Sequence, residues 1–143
     1  MEIDKQVSGS PISFRLDPTS GVPTYMQLVR QVEQALTLGY LIPGDQLPKV
    51  KEVVQSLAIN PNTVLKAYRE LEHKGVTIGR PGQGTYIKAT LDVAPLRDQA
   101  MLTRRLARWL EAASASGLDH EGMTALFTSA LHEHAQKDSG QVA

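Results

Sequence analysis

Asn60-Pro61-Asn62-Thr63, with Lys66 one turn further on, is the stretch whose residue types and spacing carry the clearest chemistry. Asn60 suits a helix N-cap, because its side-chain oxygen can accept from the free amides of the first turn. Pro61 suits the first helical position, where no amide is missed. The start of such a helix offers unpaired N–H groups and the positive end of the helix dipole, a setting that attracts a phosphate. Asn62, Thr63 and Lys66 add short polar groups and a long cation at that end, able to reach phosphates or base edges. A second candidate is Arg80-Pro81-Gly82-Gln83-Gly84, whose Gly82-Gln83-Gly84 tip lacks bulk and lets backbone approach a groove closely. Neither a phosphate-loop Lys-Ser/Thr nor a strand-to-helix context follows this tip, so it reads as a hairpin turn rather than a nucleotide cradle.

Catalytic chemistry is not readable elsewhere. There is no Cys, hence no disulfide framework, thiolate nucleophile or Cys-based zinc site. His120, His132 and His134 lie near Glu121, Glu133 and Asp138, but two His residues two apart on a helix point to different faces. No His-Glu-x-x-His spacing appears, and no Ser/His/Asp or paired-carboxylate arrangement is evident. Catalytic residues, bound metal and cofactors are therefore expected to be none. Arg104, Arg105 and Arg108 read as a solvated face.

The elements that must position these residues follow from apolar spacing. Tyr25, Leu28, Val29, Val32 and Leu36 predict a first helix, with Pro23 at its start and Gly39 as its stop. Val50, Val53, Val54 and Leu57 predict a second from about Pro48 to Ala58. Val64, Ala67, Tyr68 and Leu71 form the buried face of a third that starts at Pro61 and ends at Gly75. Val76–Gly79 and Thr85–Lys88 are β-rich flanks of a hairpin. Phe14-Arg15-Leu16 alternates like a short edge strand. A linker from Ala89 to Pro95 precedes a long helix from about Leu96 to Ser116, and Asp119 caps a final helix. The fold class is mainly α with a small β-hairpin, and helix, helix, helix, hairpin is the order of a winged helix-turn-helix. Residues 1–12 read as a flexible arm, 13–90 as the winged helix-turn-helix, and 91–143 as a two-helix segment.

Those two tail helices cannot enclose a core between themselves. Leu102, Leu106, Trp109, Leu126, Phe127 and Leu131, together with Leu118, would stay partly wet in one copy. Each gains on the order of 1.5–3 kcal/mol from full burial. Pairing two tails into a four-helix arrangement is the expected remedy, giving a homodimer.

At 143 residues, 41% hydrophobic and 21% charged, the chain should fold rather than stay disordered. The formal net charge of +0 hides an asymmetry. Residues 13–90 hold nine Lys/Arg against six Asp/Glu, and residues 91–143 five against seven. A basic part joined to an acidic part is expected when only the first meets a polyanion. No apolar run approaches the roughly 20 residues needed to cross a bilayer, and no secretory signal pattern opens the chain. A cytoplasmic location without membrane contact is expected.

Pro23-Thr24-Tyr25-Met26-Gln27-Leu28, Gly44-Asp45-Gln46-Leu47-Pro48, Asn62-Thr63-Val64 with Ala67-Tyr68 and Leu71-Glu72, Gly75, and Gly82-Gln83-Gly84-Thr85-Tyr86 together resemble the DNA-binding domain of GntR-type bacterial transcription regulators. The likeness spans about residues 13–88, and Ile59-Asn60-Pro61-Asn62-Thr63-Val64 is similar to the YtrA-like subfamily, which keeps a short two-helix tail. The resemblance implies a dimeric repressor on a near-palindromic double-stranded DNA operator, often beside transporter genes. It places DNA contacts at Lys51, Asn60, Asn62, Thr63, Lys66, Gly82 and Gln83, to which Lys49 and Arg80 add phosphate attraction. Lys49 and Lys51 stand where most relatives have Ser and Arg, and Gln83 where Lys is common. Lysine keeps charge but loses the bidentate fork suited to guanine. A small-molecule effector would act around Leu96 to Trp109. The competing expectation is a winged-helix module whose hairpin docks a protein and which binds no DNA.

Overall fold

The computed structural model describes residues 9–141 and divides into two compact units, meeting in sequence between Arg97 and Asp98. The first unit contains α1 (Thr24–Leu38), α2 (Val50–Leu57), α3 (Pro61–His73), β1 (Thr77–Arg80) and β2 (Gly84–Ile87). The second contains α4 (Gln99–Ala115) and α5 (His120–Gln141).

α3 is the centre of the first unit, packed against α1, α2 and β1. Its apolar face, Val64, Ala67, Tyr68 and Leu71, meets Leu28, Val29, Val32 and Leu36 of α1 and Val53 of α2 in one core. Leu41, Leu47 and Ile87 close that core from the loop and the hairpin. Asn60 caps α3 as expected, its side-chain oxygen accepting from the Asn62 N–H at 2.8 Å. The turn into α3 needs a left-handed residue, supplied by Ala58 at φ 54°. A non-glycine residue there costs roughly 1–2 kcal/mol, and the Ala58 N–H closes the end of α2 on the Val54 carbonyl at 2.9 Å.

β1 and β2 pair antiparallel with Thr77 opposite Ile87 and Arg80 opposite Gly84. The Gln83 N–H donates to the Arg80 carbonyl at 2.9 Å, closing a turn in which Gly82 has φ 76°. Pro followed by a positive-φ residue is the type II pattern, and glycine adopts it without strain. Gly44–Leu47 adds a third run of pairing to the outside of β2. The Gly44 N–H donates to the Ile87 carbonyl at 3.0 Å, the Ile87 N–H to Asp45 at 2.7 Å, and the Leu47 N–H to Thr85 at 2.8 Å. The Gly44-Asp45-Gln46-Leu47-Pro48 segment is thus what fastens the hairpin to the lead of α2.

Four expectations are corrected. Phe14-Arg15-Leu16 forms no strand. Instead the Arg15 N–H donates to Gln31 Oε1 at 2.9 Å and Gln31 Nε2 donates to the Arg15 carbonyl at 2.6 Å, so one side chain stands in for a neighbouring strand. The N-terminal arm ends earlier than residue 12: Ser10 is only 3% exposed and Ile12 packs on the core, while residues 1–8 lie outside those described. Leu91 and Val93 also pack on that core, so the first unit runs past residue 90 to Arg97. α2 and α4 are shorter than expected, because Pro48 stays outside the helix, Lys49 is extended ahead of α2 and Asp98 takes a left-handed turn before α4.

In the second unit the rings of Trp109 and Phe127 lie 6.4 Å apart, Ala113 is buried, and Gly122 admits the close approach of Leu118. The Gly122 N–H donates to Asp119 Oδ1 at 2.8 Å, giving the expected cap for α5.

Among the described residues two buried side-chain oxygens lack a hydrogen-bond partner, Glu52 Oε2 and the Thr77 hydroxyl. Thr77 is 2% exposed and its hydroxyl has no hydrogen-bond partner. A buried hydroxyl without a partner carries an uncompensated desolvation cost. Thr77→Val, of the same shape and β-branched, is expected to stabilise the protein by about 1 kcal/mol. A rise of the urea midpoint at unchanged m-value checks this; a fall would show that a water or a moving partner serves the hydroxyl.

Candidate nucleic-acid interface

The beginning of α3 is uncovered. Asn60, Pro61, Asn62 and Lys66 are exposed and Thr63 is half-buried. Asn60 is exposed and uses its side-chain oxygen on its own helix, so its NH2 group is not needed for the cap. The Asn62 N–H is taken by this cap, the Thr63 N–H donates to the Asn60 carbonyl at 3.0 Å, and Pro61 has none, so what the exposed start of α3 offers an anion is the positive end of its dipole rather than unpaired first-turn amides.

Two cations of this surface are held over tyrosine rings. Lys66 Nζ sits 4.1 Å from the ring centre of Tyr25, the second residue of α1. The Arg80 guanidinium lies 4.9 Å from the ring centre of Tyr86, across the hairpin. A cation over an aromatic face is attracted by the ring quadrupole, by about 0.5–1 kcal/mol at exposed sites. Such contacts shorten the list of rotamers open to a long side chain before any ligand arrives. Tyr25 reads in sequence as one member of an apolar stripe, and nothing in the spacing marks it as a partner for a residue 41 positions away.

The extended lead into α2 and the wing form the two walls of a groove of about 570 Å³, lined by Lys49, Arg80, Gly82 and Gln83 with Tyr68 at its base. Four of the nine DNA-contact candidates are thereby brought together. Lys51 is exposed on α2, outside that lining. The wing tip is held by Gln46, whose Nε2 donates to the Gln83 carbonyl at 3.2 Å. A side chain at Gly84 would fall 2.8 Å from that same Nε2, at φ 129° where L-residues are strained. Gln46 thus belongs to the machinery that places Gln83, and sequence spacing gives no signal for it.

Tyr68 donates its hydroxyl to the Pro48 carbonyl, tying α3 to the lead of α2 beneath this groove. Burial, and secondarily the negative charge of Glu52, push its phenol well above the ordinary value of 10.0. In the unfolded chain the phenol ionises near its ordinary value, while the folded state keeps its proton to higher pH. The resulting stabilisation is fully present below pH 10 and is lost as pH climbs beyond it. Tyr68→Phe is expected to lower stability by about 1 kcal/mol at neutral pH, through the lost hydrogen bond. It should also decline less steeply than the parent between about pH 10 and 12; parallel urea midpoints would overturn the assignment.

Among the described residues no group of three or more His, Cys, Asp or Glu converges as a metal site requires, and no helix is long and apolar enough to cross a membrane.

Three packed helices, a helix-turn-helix with an open recognition-helix start and a two-stranded wing define a winged-helix regulator of transcription. Residues 24–87 match the family model described as bacterial regulatory proteins, gntR family. The HTH-type transcriptional repressor YtrA of Bacillus subtilis is 33% identical over 130 residues, covering 90% of this chain and 94% of its own. A crystal structure of a transcriptional antiterminator from Listeria monocytogenes is similar with TM-score 0.55 at 29% identity, over 84% of this chain and 90% of that one. YtrA from Sulfolobus acidocaldarius, a GntR-family transcription factor, gives TM-score 0.50 at 28% identity, over 68% and 97%. The chain belongs to the GntR family, with the short two-helix tail of its YtrA-like members.

Proposed function

We propose that the protein is a homodimeric repressor that binds an inverted-repeat operator near a transporter-type operon. The recognition helix α3 enters the major groove and the wing enters the neighbouring minor groove. Asn62 and Thr63 read base edges; Lys66 reaches a phosphate or a base edge. Lys49, Lys51, Asn60 and Arg80 meet phosphates, and Gly82 with Gln83 carries the wing into its groove. The tails pair through Leu102, Leu106, Trp109, Leu126, Phe127 and Leu131. It acts in the cytoplasm, where bacterial DNA lies, and regulates rather than catalyses. A small-molecule effector on the tail would act by changing the spacing of the two recognition helices.

The observation that carries this reading is the uncovered start of α3, capped by Asn60 and set with Asn62 and Lys66 on exposed positions. Groove entry by the N-terminal residues of the second helix of such a unit is the docking mode that this geometry fits. Two-fold pairing then places two half-sites about one helical turn apart or a small multiple of it.

Selection of bound fragments from random duplex DNA tests it. The expected outcome is a consensus with inverted symmetry and an affinity that falls steeply as salt rises. No retention of duplex at low salt would overturn the proposal and favour a protein-docking role for the wing.

A further inference from the structure

We infer that Leu65 reads a thymine methyl group in each operator half-site. The inference rests on the groove entry of α3 proposed above. α3 turns Val64, Ala67, Tyr68 and Leu71 into the core, so Asn62, Leu65, Lys66 and Arg69 lie on exposed positions. Among these Leu65 is the sole apolar side chain, 42% exposed. A single exposed leucine ordinarily calls for no explanation; its surroundings give this one meaning. It lies three residues after Asn62, four before Arg69 and beside Lys66, at the centre of the polar and basic face.

Helical side chains lean toward the N-terminus and cover the preceding turn. Leu65 therefore lies over the turn of Pro61 and Asn62, the end that goes deepest into a groove. With the exposed Pro61 ring it makes a small apolar spot ringed by hydrogen-bonding groups and cations. The major-groove edge of a base pair offers one apolar feature, the C5-methyl of thymine. The flanking Lys66 and Arg69 fit a polyanion and oppose an apolar protein partner at the same spot. Leu65 adds apolar contact where Asn62 supplies hydrogen bonds, so the two residues read neighbouring bases by different chemistry.

Leucine and alanine are both strong helix formers, so Leu65→Ala on an exposed position leaves the fold intact. The test uses full-length protein and fragments recovered from random duplex DNA. Each thymine of the half-site is replaced in turn by deoxyuridine, which removes the methyl alone. For the parent protein, one position per half-site is expected to show a loss of about four-fold when methyl burial is forfeited. For Leu65→Ala that position should become indifferent to the methyl, while all other positions behave as in the parent. A parent indifferent to every replacement, or a Leu65→Ala protein as sensitive as the parent, would overturn the inference and leave groove entry standing. Failure of both proteins to retain any duplex at low salt would overturn the two together.

Discussion

On the proposed pairing of two tails, Leu106→Glu and Leu126→Glu are each expected to leave a monomer and to weaken operator binding by about 100-fold or more. In the second unit Ala113 is the buried apolar residue of α4, whereas Leu102, Leu106, Leu110, Leu126, Phe127 and Leu131 are all exposed. Leu131, on α5, is 56% exposed. Contiguous apolar stripes of this kind mark interaction surfaces, and two copies of a helical pair can bury them mutually as a four-helix arrangement. Glutamate is a good helix former, so neither substitution should melt its helix. It would instead place a charge in an apolar interface, where an unpaired ion is strongly disfavoured. The loss on DNA follows from multivalency: once one half-site is held, the second is reached intramolecularly, and linked sites gain about 100- to 10,000-fold without any new contact. Sedimentation equilibrium should report the chain mass for the variants and twice that for the parent, with helix content by circular dichroism preserved. A variant that stays dimeric and keeps its operator affinity would move the interface elsewhere.

What could be read from sequence, and what could not, divides along physical lines. The helices of the first unit were legible because each has a buried stripe at three- and four-residue spacing, as in Val64, Ala67, Tyr68 and Leu71. The start of α3 was legible because capping is local: Asn60, Pro61 and Asn62 settle it within three residues. Pairing of Gly44–Leu47 with β2 was not, since those bonds are made by backbone groups and no side-chain pattern encodes them. Gln31 replacing a strand beside Arg15 is a contact across 16 residues by a polar side chain of ordinary type. α5 extends through His134-Ala135-Gln136-Lys137-Asp138, past Leu131, its last large apolar residue. Polar pairs one turn apart, such as His134 with Asp138 at 3.6 Å and His132 with Gln136 at 3.1 Å, support a helix that hydrophobic spacing leaves unmarked. In the candidate interface, residue types pointed to Asn62 and Lys66, yet what holds Lys66 is Tyr25, and what holds Gln83 is Gln46.

That difference between reading and holding leads to contrasting outcomes for Asn62→Ala and Lys66→Ala. Asn62 is exposed in the first turn of α3, its backbone N–H already satisfied by Asn60, so loss of its side chain leaves the cap in place. The substitution should cost about 1–3 kcal/mol on the best operator, roughly five- to 150-fold, and relax the preference at one base pair per half-site. Its effect should be small on unrelated sequences, and the salt dependence should stay as in the parent. Lys66 carries charge to the same end of the helix, and in the free protein that charge rests over Tyr25. Its replacement should weaken binding to all sequences nearly alike and reduce the slope of log affinity against log salt by about 1 per protomer. Titrations of both variants against specific and random duplexes, at three or more salt concentrations, separate these effects. If Lys66→Ala instead altered which base is preferred without changing the slope, Lys66 would be a base reader and its phosphate role would fall. Tyr25→Ala should then resemble Lys66→Ala in direction, with the slope retained because the charge remains, which distinguishes a residue that places a cation from the cation itself.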